Sequence, residues 1–461
     1  MDWETSFDEY LEHLCDTIGY SDRRAGLVGY CQGLMLPIAR KSVELLAAHL
    51  EPHRVSARHQ SLHHFVSKSE WTDAALIEQV RRWVLPHMDP SNGQYWVIDD
   101  TGFPKKGKHS VEVARQYCGQ LGKQDNCQVA VGLSVATTEA SLPVAYQLYL
   151  PQEWADDPER RQLAGVPEEI GFATKPQIAI AQLREAGQSG APNRVVLADA
   201  GYGNDTAFRD SVGELGLQYA VDIQSSTRVW PPGLVPLPAE ASTGKAGRPR
   251  SLQRRVPGHN PVAAKDLALA LEPSCYHTVS WREGTRTALS SRFAALRVRA
   301  SHRDYWRARP RDEEWLLIEW PIGEPEPTKY WLSTLPEATA VEHLVHVAKM
   351  RWRIERDYQD LKQEFGLGLF EGRGWRGFHH HASLCIAAYG FLVAQRLNEG
   401  SKKTPKSAAH LPYPRTTSHA APQRMQRHVP DSIATLRWRI GAHISRRLQR
   451  CPYCCVTPNF L

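Results

Sequence analysis

Glu355 is the residue of this sequence whose neighbours most clearly suggest chemistry. It lies in a segment without proline or glycine, residues 351–362, and this composition predicts one continuous helix. At about 100° per residue, Arg351, Glu355 and Lys362 fall within roughly 40° of one another on that helix. A carboxylate therefore stands between two cations on one predicted face.

Two interpretations of this face stay open at this point. It is either a solvated ladder of ion pairs or a site where the carboxylate binds a metal ion and the cations bind phosphate. Arg351 precedes Glu355, which is the less favourable order for a helical ion pair. Ile354, Leu361 and Phe365 form a neighbouring apolar stripe, which predicts the buried side of the helix.

Two aspartates at the ends of predicted strands are further candidate ligands. Residues 94–98 predict a strand that runs into Asp99, and residues 194–198 predict a second strand that runs into Asp199. An aspartate in such a place is commonly a turn or cap residue. Together with Glu355, however, the pair would supply oxygen ligands from three separate elements. Two-metal phosphoryl transfer requires such a set, with the ions about 3.5–4 Å apart.

Several separate blocks of the sequence resemble the cut-and-paste DDE transposases of bacterial insertion sequences, over roughly residues 20–400. In that group a Tyr, an Arg, a Glu and a Lys recur at fixed spacing, and Arg351, Glu355 and Lys362 match three of the four. Four more blocks resemble one branch of these enzymes: residues 99–107 (Asp-Asp-Thr-Gly-Phe-Pro-Lys-Lys-Gly), 114–119 (Ala-Arg-Gln-Tyr-Cys-Gly), 149–154 (Tyr-Leu-Pro-Gln-Glu-Trp) and 171–176 (Gly-Phe-Ala-Thr-Lys-Pro).

The resemblance implies a ribonuclease-H-like core in which Asp99, Asp199 and Glu355 bind two Mg²⁺ (or Mn²⁺) ions. The first block of the family reads Asp-x-Thr, which selects Asp99; Asp100 is the alternative. It also implies double-stranded DNA as the partner, both as terminal inverted repeats and as target DNA. A homodimer on DNA is expected from the resemblance alone, because two ends must be held together.

Two basic residues of the signature carry over as contacts to phosphates at the DNA ends, namely Arg351 and Lys362. The family tyrosine would fall at Ala348. The handling of the cleaved end, including hairpin formation, therefore stays open.

Other basic and aromatic residues are candidates for DNA binding: Lys105 and Lys106 after the first strand, Arg248 and Arg250 in a segment rich in Pro and Gly, and Tyr330 and Trp331 on a predicted strand. Arginines suit a narrow minor groove, although a flexible solvent loop is the alternative. An aromatic side chain could stack on a displaced base. Because neighbours on a strand face opposite ways, at least one of the two aromatic residues is expected in the core.

The periodicity of the chain predicts an α/β fold with a mixed sheet, a helical N-terminal domain and an inserted β-rich domain. The resemblance implies that the mixed-sheet core is ribonuclease-H-like. The predicted segments are a helical DNA-binding domain (1–90), the first part of the core (91–228), the β-rich insertion with its basic loop (229–338), the second part of the core (339–400) and a basic C-terminal tail (401–461).

Positive charge is concentrated in the tail, which favours a polyanionic partner. From residue 400 onwards there are eleven Lys or Arg residues and one acid, Asp431, whereas the whole chain has a net charge of only +6. A solvated, disordered tail is the alternative. Cys451, Cys454 and Cys455 offer half a zinc site at best.

The sequence therefore predicts a transposase that acts on the nucleoid in a bacterial cytoplasm. The acidic N-terminus has no apolar segment of a signal peptide, no apolar run is long enough for a bilayer, and an odd number of cysteines (9) indicates reduced thiols. Two other classes stay open: a domesticated or regulatory DNA-binding protein on the same scaffold, and a different metal-dependent DNA nuclease. Three consecutive histidines, His379 to His381, cannot share one helix face, which argues against a metal site there.

Overall fold

Helices dominate the first ninety residues and strands begin at Tyr95, as the change in sequence periodicity predicts. A computed structural model describes residues 3–91, 93–188, 195–239, 252–283, 288–400 and 431–451. Its helices are α1 (Trp3–Cys15), α2 (Ser21–Met35), α3 (Val43–Leu50), α4 (Val55–Ser67), α5 (Asp73–Val84), α6 (Gln152–Ala155), α7 (Pro158–Ala164), α8 (Lys175–Gln188), α9 (Ala200–Gly203), α10 (Thr206–Glu214), α11 (Ala264–Leu269), α12 (Val341–Lys349), α13 (Trp352–Glu364), α14 (Trp375–Gly400) and α15 (Ile433–Arg447).

The strands are β1 (Tyr95–Pro104), β2 (Ala114–Cys118), β3 (Lys123–Ala136), β4 (Ser141–Leu148), β5 (Val195–Ala198), β6 (Gln218–Ile223), β7 (Arg228–Trp230), β8 (Val262–Ala263), β9 (His277–Glu283), β10 (Ala288–Ala300), β11 (Glu314–Trp320) and β12 (Lys329–Ser333). The chain divides into two compact units: Met1–Gln94, Asp99–Leu183 and Trp352–Leu461 in the first, Tyr95–Ile98 and Arg184–Arg351 in the second. The division passes through β1 and α8.

In the first unit, β3 pairs antiparallel with both β2 and β4. The long helix α14 packs against β4 and against α2, α4 and α5 of the N-terminal helices. Residues 382–394 of this helix are all buried, and nearly all of them are apolar. A helix that is apolar on all sides must be surrounded by other elements. This helix forms the centre of the core of the first unit.

Three consecutive histidines lie in the first turns of α14, and each bonds to a different neighbour. His379 Nε2 accepts a hydrogen bond from the backbone N–H of Leu148 at 3.3 Å, and His380 stacks on Trp71 with ring centroids 3.6 Å apart. His381 Nδ1 is hydrogen-bonded to the Tyr30 hydroxyl at 2.9 Å. The three imidazole rings are therefore held by three different neighbours in the core of the first unit.

In the second unit, the sheet combines parallel and antiparallel pairs. β5 pairs in parallel with the Tyr95–Ile98 part of β1 and with β6, whereas β6, β12, β11 and β10 pair antiparallel in that order. β9 and β7 both pair with β10, and β8 pairs with β7. The predicted α/β class is confirmed, with a mixed sheet of the kind expected for a ribonuclease-H-like core and a β-rich insertion.

Part of the basic tail forms a helix. Ser432 caps α15, since its side chain accepts a hydrogen bond from the backbone N–H of Thr435. One face of α15 is buried in the first unit through Ile433, Leu436 and Ile440. Residues 401–430 and 452–461 of the tail, which include Cys454 and Cys455, lie outside the described residues. Across the ranges described above, no helix combines the length and the apolar character needed to cross a bilayer.

Candidate active site

Glu355 lies in the first turn of α13, and the apolar stripe of this helix is buried as predicted. Ile354 and Leu361 have no exposed surface, and neither has Phe365 just beyond the helix end. Glu355 itself is half-buried. The helix is thus fixed on its apolar side, while the carboxylate of Glu355 lies near its surface.

The predicted continuous helix is present over residues 352–362 and begins one residue later than expected, because Arg351 lies in the turn directly before it. α12 ends at Lys349, α13 begins at Trp352, and Arg351 lies in a turn between them. In the second unit the Arg351 guanidinium (Nε) approaches Oδ2 of Asp222 on β6 to 3.8 Å.

Two side chains of α13 bind the backbone that begins at Asp99. The Tyr358 hydroxyl donates a hydrogen bond to the carbonyl oxygen of Asp99 at 3.1 Å, and Lys362 Nζ donates to the carbonyl oxygen of Gly102 at 2.9 Å. Glu355, Tyr358 and Lys362 lie within about 60° of one another around the helix. The helix face that carries Glu355 is therefore the face directed to the segment that starts with Asp99.

Lys362 is more enclosed than a surface phosphate contact would be. Burial lowers the pKa of its ammonium group to about 8, against the opposing influence of Cys118 and Asp99. Its Nζ also lies 3.2 Å from Oε1 of Gln120 and 4.8 Å from the centre of the Phe103 ring. These contacts show Lys362 joining α13 to β1, and its predicted contact to DNA stays a prediction.

A buried aspartate on α13 holds the helix against three other elements. Asp357 accepts hydrogen bonds from Ser134 Oγ of β3 at 2.9 Å, from the Tyr389 hydroxyl of α14 at 2.7 Å, and from Ser141 Oγ of β4. Burial raises the pKa of the Asp357 carboxyl to about 6, although the three hydroxyls oppose the shift. Sequence reasoning missed this residue, because an aspartate two positions from a candidate ligand has no distinguishing sequence signal.

The two adjacent aspartates of β1 differ in their partners. Asp99 Oδ1 accepts a hydrogen bond from the backbone N–H of Asp100 at 2.9 Å. Asp100 Oδ2 instead forms an ion pair with Nζ of Lys175 at 2.7 Å, and Lys175 is the first residue of α8. Lys175 was not predicted as a site residue, although it stands in the 171–176 block. A carboxylate already neutralised by lysine suits a structural role, which favours Asp99 as the ligand.

The two lysines after β1 differ in exposure. Lys105 Nζ donates a hydrogen bond to the carbonyl oxygen of Phe370 at 3.0 Å, and burial lowers the pKa of this lysine. Lys106 is exposed. Lys106 is thus the better placed of the two for a phosphate. Arg248 and Arg250 lie outside the described residues.

In the second unit, Asp199 follows β5 directly and caps the short helix α9. Its Oδ1 accepts hydrogen bonds from the backbone N–H groups of Gly201 at 2.8 Å and Tyr202 at 3.4 Å. β5 pairs in parallel with the beginning of β1, with Val97 opposite Leu197. The cap role named as the alternative for Asp199 is therefore present, and it involves one carboxylate oxygen.

Asp222 is a second acid near Asp199 that sequence reasoning missed. Burial raises the pKa of Asp222; Arg351 and Lys329 lower it, and the negative charge of Asp199 raises it further. Two carboxylates and an arginine thus interact electrostatically in this unit. No spacing in the sequence links β6 to Arg351, so only the fold could reveal the pair.

Tyr330 and Trp331 are both buried in the second unit, with 3% and 2% of their surface exposed. The Tyr330 hydroxyl donates a hydrogen bond to the carbonyl oxygen of Pro327 at 3.3 Å, and Lys349 Nζ lies 5.2 Å from the centre of the Trp331 ring. Core packing therefore fits both residues, and neither presents an open ring face on which a base could stack.

The sequence matches the family described as DDE superfamily endonuclease over residues 13–288, which is more than half of the chain. The chain belongs to this family. Asp99 and Asp199 lie inside the matched residues, and Glu355 lies beyond them. The resemblance inferred from the separate sequence blocks is confirmed.

A relative supports the assignment to the DDE endonucleases. Over 168 residues the chain is 33% identical to a protein from Microchaete diplosiphon described as a probable transposase for insertion sequence element IS701. The aligned part covers 36% of this chain and 41% of the relative. The match thus spans less than half the length of that protein.

The donor chemistry of the three predicted ligands suits a hard divalent ion. Carboxylate oxygens are the ligands that Mg²⁺ and Mn²⁺ prefer, and Asp99, Asp199 and Glu355 are each half-buried rather than fully enclosed. Within the residues that the structure describes, no three His, Cys, Asp or Glu side chains are grouped so as to hold a metal ion. Members of DDE families generally act with divalent metals, and Asp99, Asp199 and Glu355 stay the predicted ligands of such ions.

Proposed function

We propose that this DDE endonuclease is a transposase that cleaves DNA at the ends of a mobile element and joins the freed 3′-OH to target DNA. The observation that supports it best is the face of α13 on which Glu355 lies beside Tyr358, whose hydroxyl binds the backbone of Asp99. In addition, Asp99 follows a strand segment paired in parallel with β5, the strand that Asp199 follows.

We assign Asp99, Asp199 and Glu355 as the ligands of two Mg²⁺ or Mn²⁺ ions. Two such ions, when bound, activate the attacking oxygen and stabilise the leaving oxygen of an in-line displacement. Asp199 uses Oδ1 for the α9 cap and would bind through Oδ2. Asp99 would bind with the carboxylate that the Asp100 N–H orients.

Other residues of the chain would position this triad. Asp357 holds α13 through three hydroxyls, so Glu355 stays fixed while DNA binds. Lys175 neutralises Asp100, which limits the repulsion between adjacent carboxylates on β1. Arg351 and Lys362 would add positive charge near the cleaved phosphate, and Lys362 would do so from its place beside Gly102.

Duplex DNA is the partner in this proposal. The N-terminal helices and the basic tail would bind terminal inverted repeats, with Lys106 and the arginines at 248 and 250 as further phosphate contacts. Two copies of the chain would hold the two ends of the element as a homodimer. The family and the charge of the chain support the DNA contacts, and the family resemblance alone supports the homodimer.

The central experiment replaces each ligand by its amide: Asp99→Asn, Asp199→Asn and Glu355→Gln. Each variant should lose Mg²⁺-dependent cleavage of a labelled duplex that carries an element end, while gel-shift binding to the same duplex persists. The matched control is Asp100→Asn, which should retain cleavage, because Asp100 pairs with Lys175. Wild-type cleavage by any triad variant would refute that ligand, and inactivity of Asp100→Asn with activity of Asp99→Asn would move the assignment to Asp100.

The products separate this proposal from its two alternatives. A transposase yields 3′-OH ends that become joined to target DNA, which a gel detects as a larger labelled product. Cleavage without joining would indicate another metal-dependent nuclease. Binding to the end without cleavage in Mg²⁺ would indicate a regulatory DNA-binding protein.

A further inference from the structure

The loop at residues 302–310 in the second unit has an exposed surface rich in aromatic and basic side chains. Its outward residues are His302, Arg303, Tyr305, Trp306, Arg307 and Arg309. Tyr305 is 45% exposed and Trp306 is 58% exposed, which is unusual for rings of this size. Asp304, the acid of this loop, is buried at 1% exposure. The exposed part of the loop therefore presents cations and aromatic rings without a carboxylate.

The buried Asp304 side chain fixes the loop at residues 302–310 to the rest of the second unit. It accepts hydrogen bonds from Trp230 Nε1 at 2.6 Å and from the Arg255 guanidinium. The residue before it, Arg303, adopts a left-handed backbone conformation with φ of 58°. The backbone N–H of Gln253 donates a hydrogen bond to the carbonyl oxygen of Arg307 at 3.2 Å. The backbone that carries the exposed rings is thus fixed by hydrogen bonds to Trp230, Arg255 and Gln253.

Each exposed ring lies beside a guanidinium group. Arg303 Cζ lies 5.2 Å from the centre of the Trp306 ring, and Arg255 Cζ lies 5.6 Å from that of Tyr305. The two rings are 5.4 Å apart at an interplanar angle of 78°, so their faces point in different directions. A guanidinium group thus lies over one face of each ring, and the exposed remainder of each ring is left for stacking, with positive charge close to it.

Two arginines of the loop have no carboxylate partner in the part of the chain that the structure describes. Arg307 pairs with Asp210 at 2.8 Å, as does Arg311 at 2.5 Å. Arg303 and Arg309 take part in no such pair. Their charge is therefore available to an external anion.

We propose that the loop at residues 302–310 binds single-stranded DNA, with Trp306 and Tyr305 stacking on bases and Arg303 and Arg309 contacting phosphates. Base faces are covered by neighbouring bases in an intact duplex, so exposed ring faces favour an unpaired strand. The proposal rests on the proposed function only in taking DNA as the polyanion. It does not require the Asp99, Asp199 and Glu355 site.

The test measures binding of a fluorescein-labelled 20-nucleotide single strand by anisotropy, with EDTA present so that cleavage plays no part. The double variant Tyr305→Ala/Trp306→Ala should weaken binding by about 5- to 150-fold for each stacked base lost. Trp306→Phe should retain most of the affinity, because a ring face remains. Arg309→Ala should reduce the salt dependence of binding by about 0.7 in the log–log slope.

The matched control is Ile322→Ala, which removes an exposed apolar side chain of the same unit, 72% exposed, and should leave binding unchanged. Because EDTA removes divalent metals, single-strand binding is measured without the Asp99, Asp199 and Glu355 chemistry, which separates this proposal from the catalytic one. Wild-type affinity in the double variant overturns the proposal. If the double variant loses duplex binding alone, the loop contacts duplex DNA and the proposal is wrong. If the double variant instead loses self-association in sedimentation, the loop is a contact between copies of the chain and the proposal is also wrong.

Discussion

Two buried carboxyl groups of the first unit, Asp357 and Glu112, are accommodated in opposite ways. Asp357 receives hydrogen bonds from three hydroxyls that come from β3, β4 and α14. Glu112 lies between β1 and β2 with no exposed surface, and neither of its carboxyl oxygens has a hydrogen-bond partner in the described residues. Its backbone is also left-handed, with φ of 61°, a conformation that favours glycine.

The difference separates a residue that positions the site from one that the fold tolerates. Buried polar groups normally find partners, and an unpartnered one costs free energy. The partners of Asp357 fix the helix that bears Glu355, whereas burial raises the pKa of the unpartnered Glu112 carboxyl well above its ordinary value. We therefore expect substitution of Asp357 to lower the free energy of unfolding and substitution of Glu112 to raise it.

The largest effect is expected for Asp357→Ala, which leaves three buried hydroxyls without their acceptor. The free energy of unfolding should fall by ~3–5 kcal/mol, as for other broken buried networks. Cleavage at a temperature where the variant is folded should also fall, because Glu355 loses its support. Urea unfolding and a cleavage assay measure the two effects. Ser134→Ala is the control and should cost only about 1 kcal/mol; an equal loss in both variants would mean that the network does not act as a unit.

The pH dependence of stability gives the next effect. Folding raises the pKa of Asp357 from 3.8 to about 6, so the folded state binds more protons than the unfolded state between these pH values. The contribution of Asp357 to stability is thus full below pH 4 and falls by on the order of 3 kcal/mol as pH rises to 6. Asp357→Asn cannot ionise. The difference in unfolding free energy between wild type and this variant should change over that window, and a constant difference would contradict the shift.

Replacement of the unpartnered acid should stabilise the protein. Glu112→Gly removes both the buried carboxyl and the left-handed strain, and it should raise the free energy of unfolding by about 2 kcal/mol. Glu112→Ala removes the carboxyl but keeps a Cβ at positive φ, so it should recover less, by about 1 kcal/mol. Thermal unfolding of the three proteins tests the order. Destabilisation by glycine would show that Glu112 has a favourable role.

The smallest effect concerns the hydrogen bond between α13 and β1. Tyr358→Phe removes the hydroxyl that donates to Asp99 and should cost about 1 kcal/mol in unfolding free energy. Tyr146→Phe is a matched control, since the buried Tyr146 hydroxyl has no partner in the described residues and its ring lies 6.4 Å from that of Tyr358. Equal stability changes in the two variants would argue that the Tyr358 bond contributes nothing specific.

The sequence predicted elements better than it predicted their polar contacts. The apolar stripe of α13 and the strand that ends before Asp199 follow from local periodicity, which needs no knowledge of the neighbours. The strand predicted to end at Asp99 instead continues through it to Pro104, so Asp99 lies within β1. The pair between Arg351, just before α13, and the distant Asp222 has no local sequence signal either.

The same limit explains the residues that were missed. Asp357 has three partners on three elements, the nearest of them 32 positions away in sequence, and Lys175 is 75 positions from Asp100. Such distances carry no local pattern. Tyr330 and Trp331 were candidates for base stacking because of their residue types, but their strand lies inside the sheet and both side chains are buried. Tyr305 and Trp306 instead lie on an exposed 3-10 helical turn of the loop at residues 302–310. Exposure, which decides between these two pairs, appears only in the folded chain.

The triple histidine at the start of α14 has a practical consequence for handling the protein. Because His379, His380 and His381 are buried and bonded to three different neighbours, the run cannot coordinate immobilised nickel in the native state. The denatured chain exposes all three imidazoles. Accessibility of these three imidazoles would thus report loss of native structure around α14, whereas retention on nickel alone would not, because His63 and His64 are exposed in the folded chain.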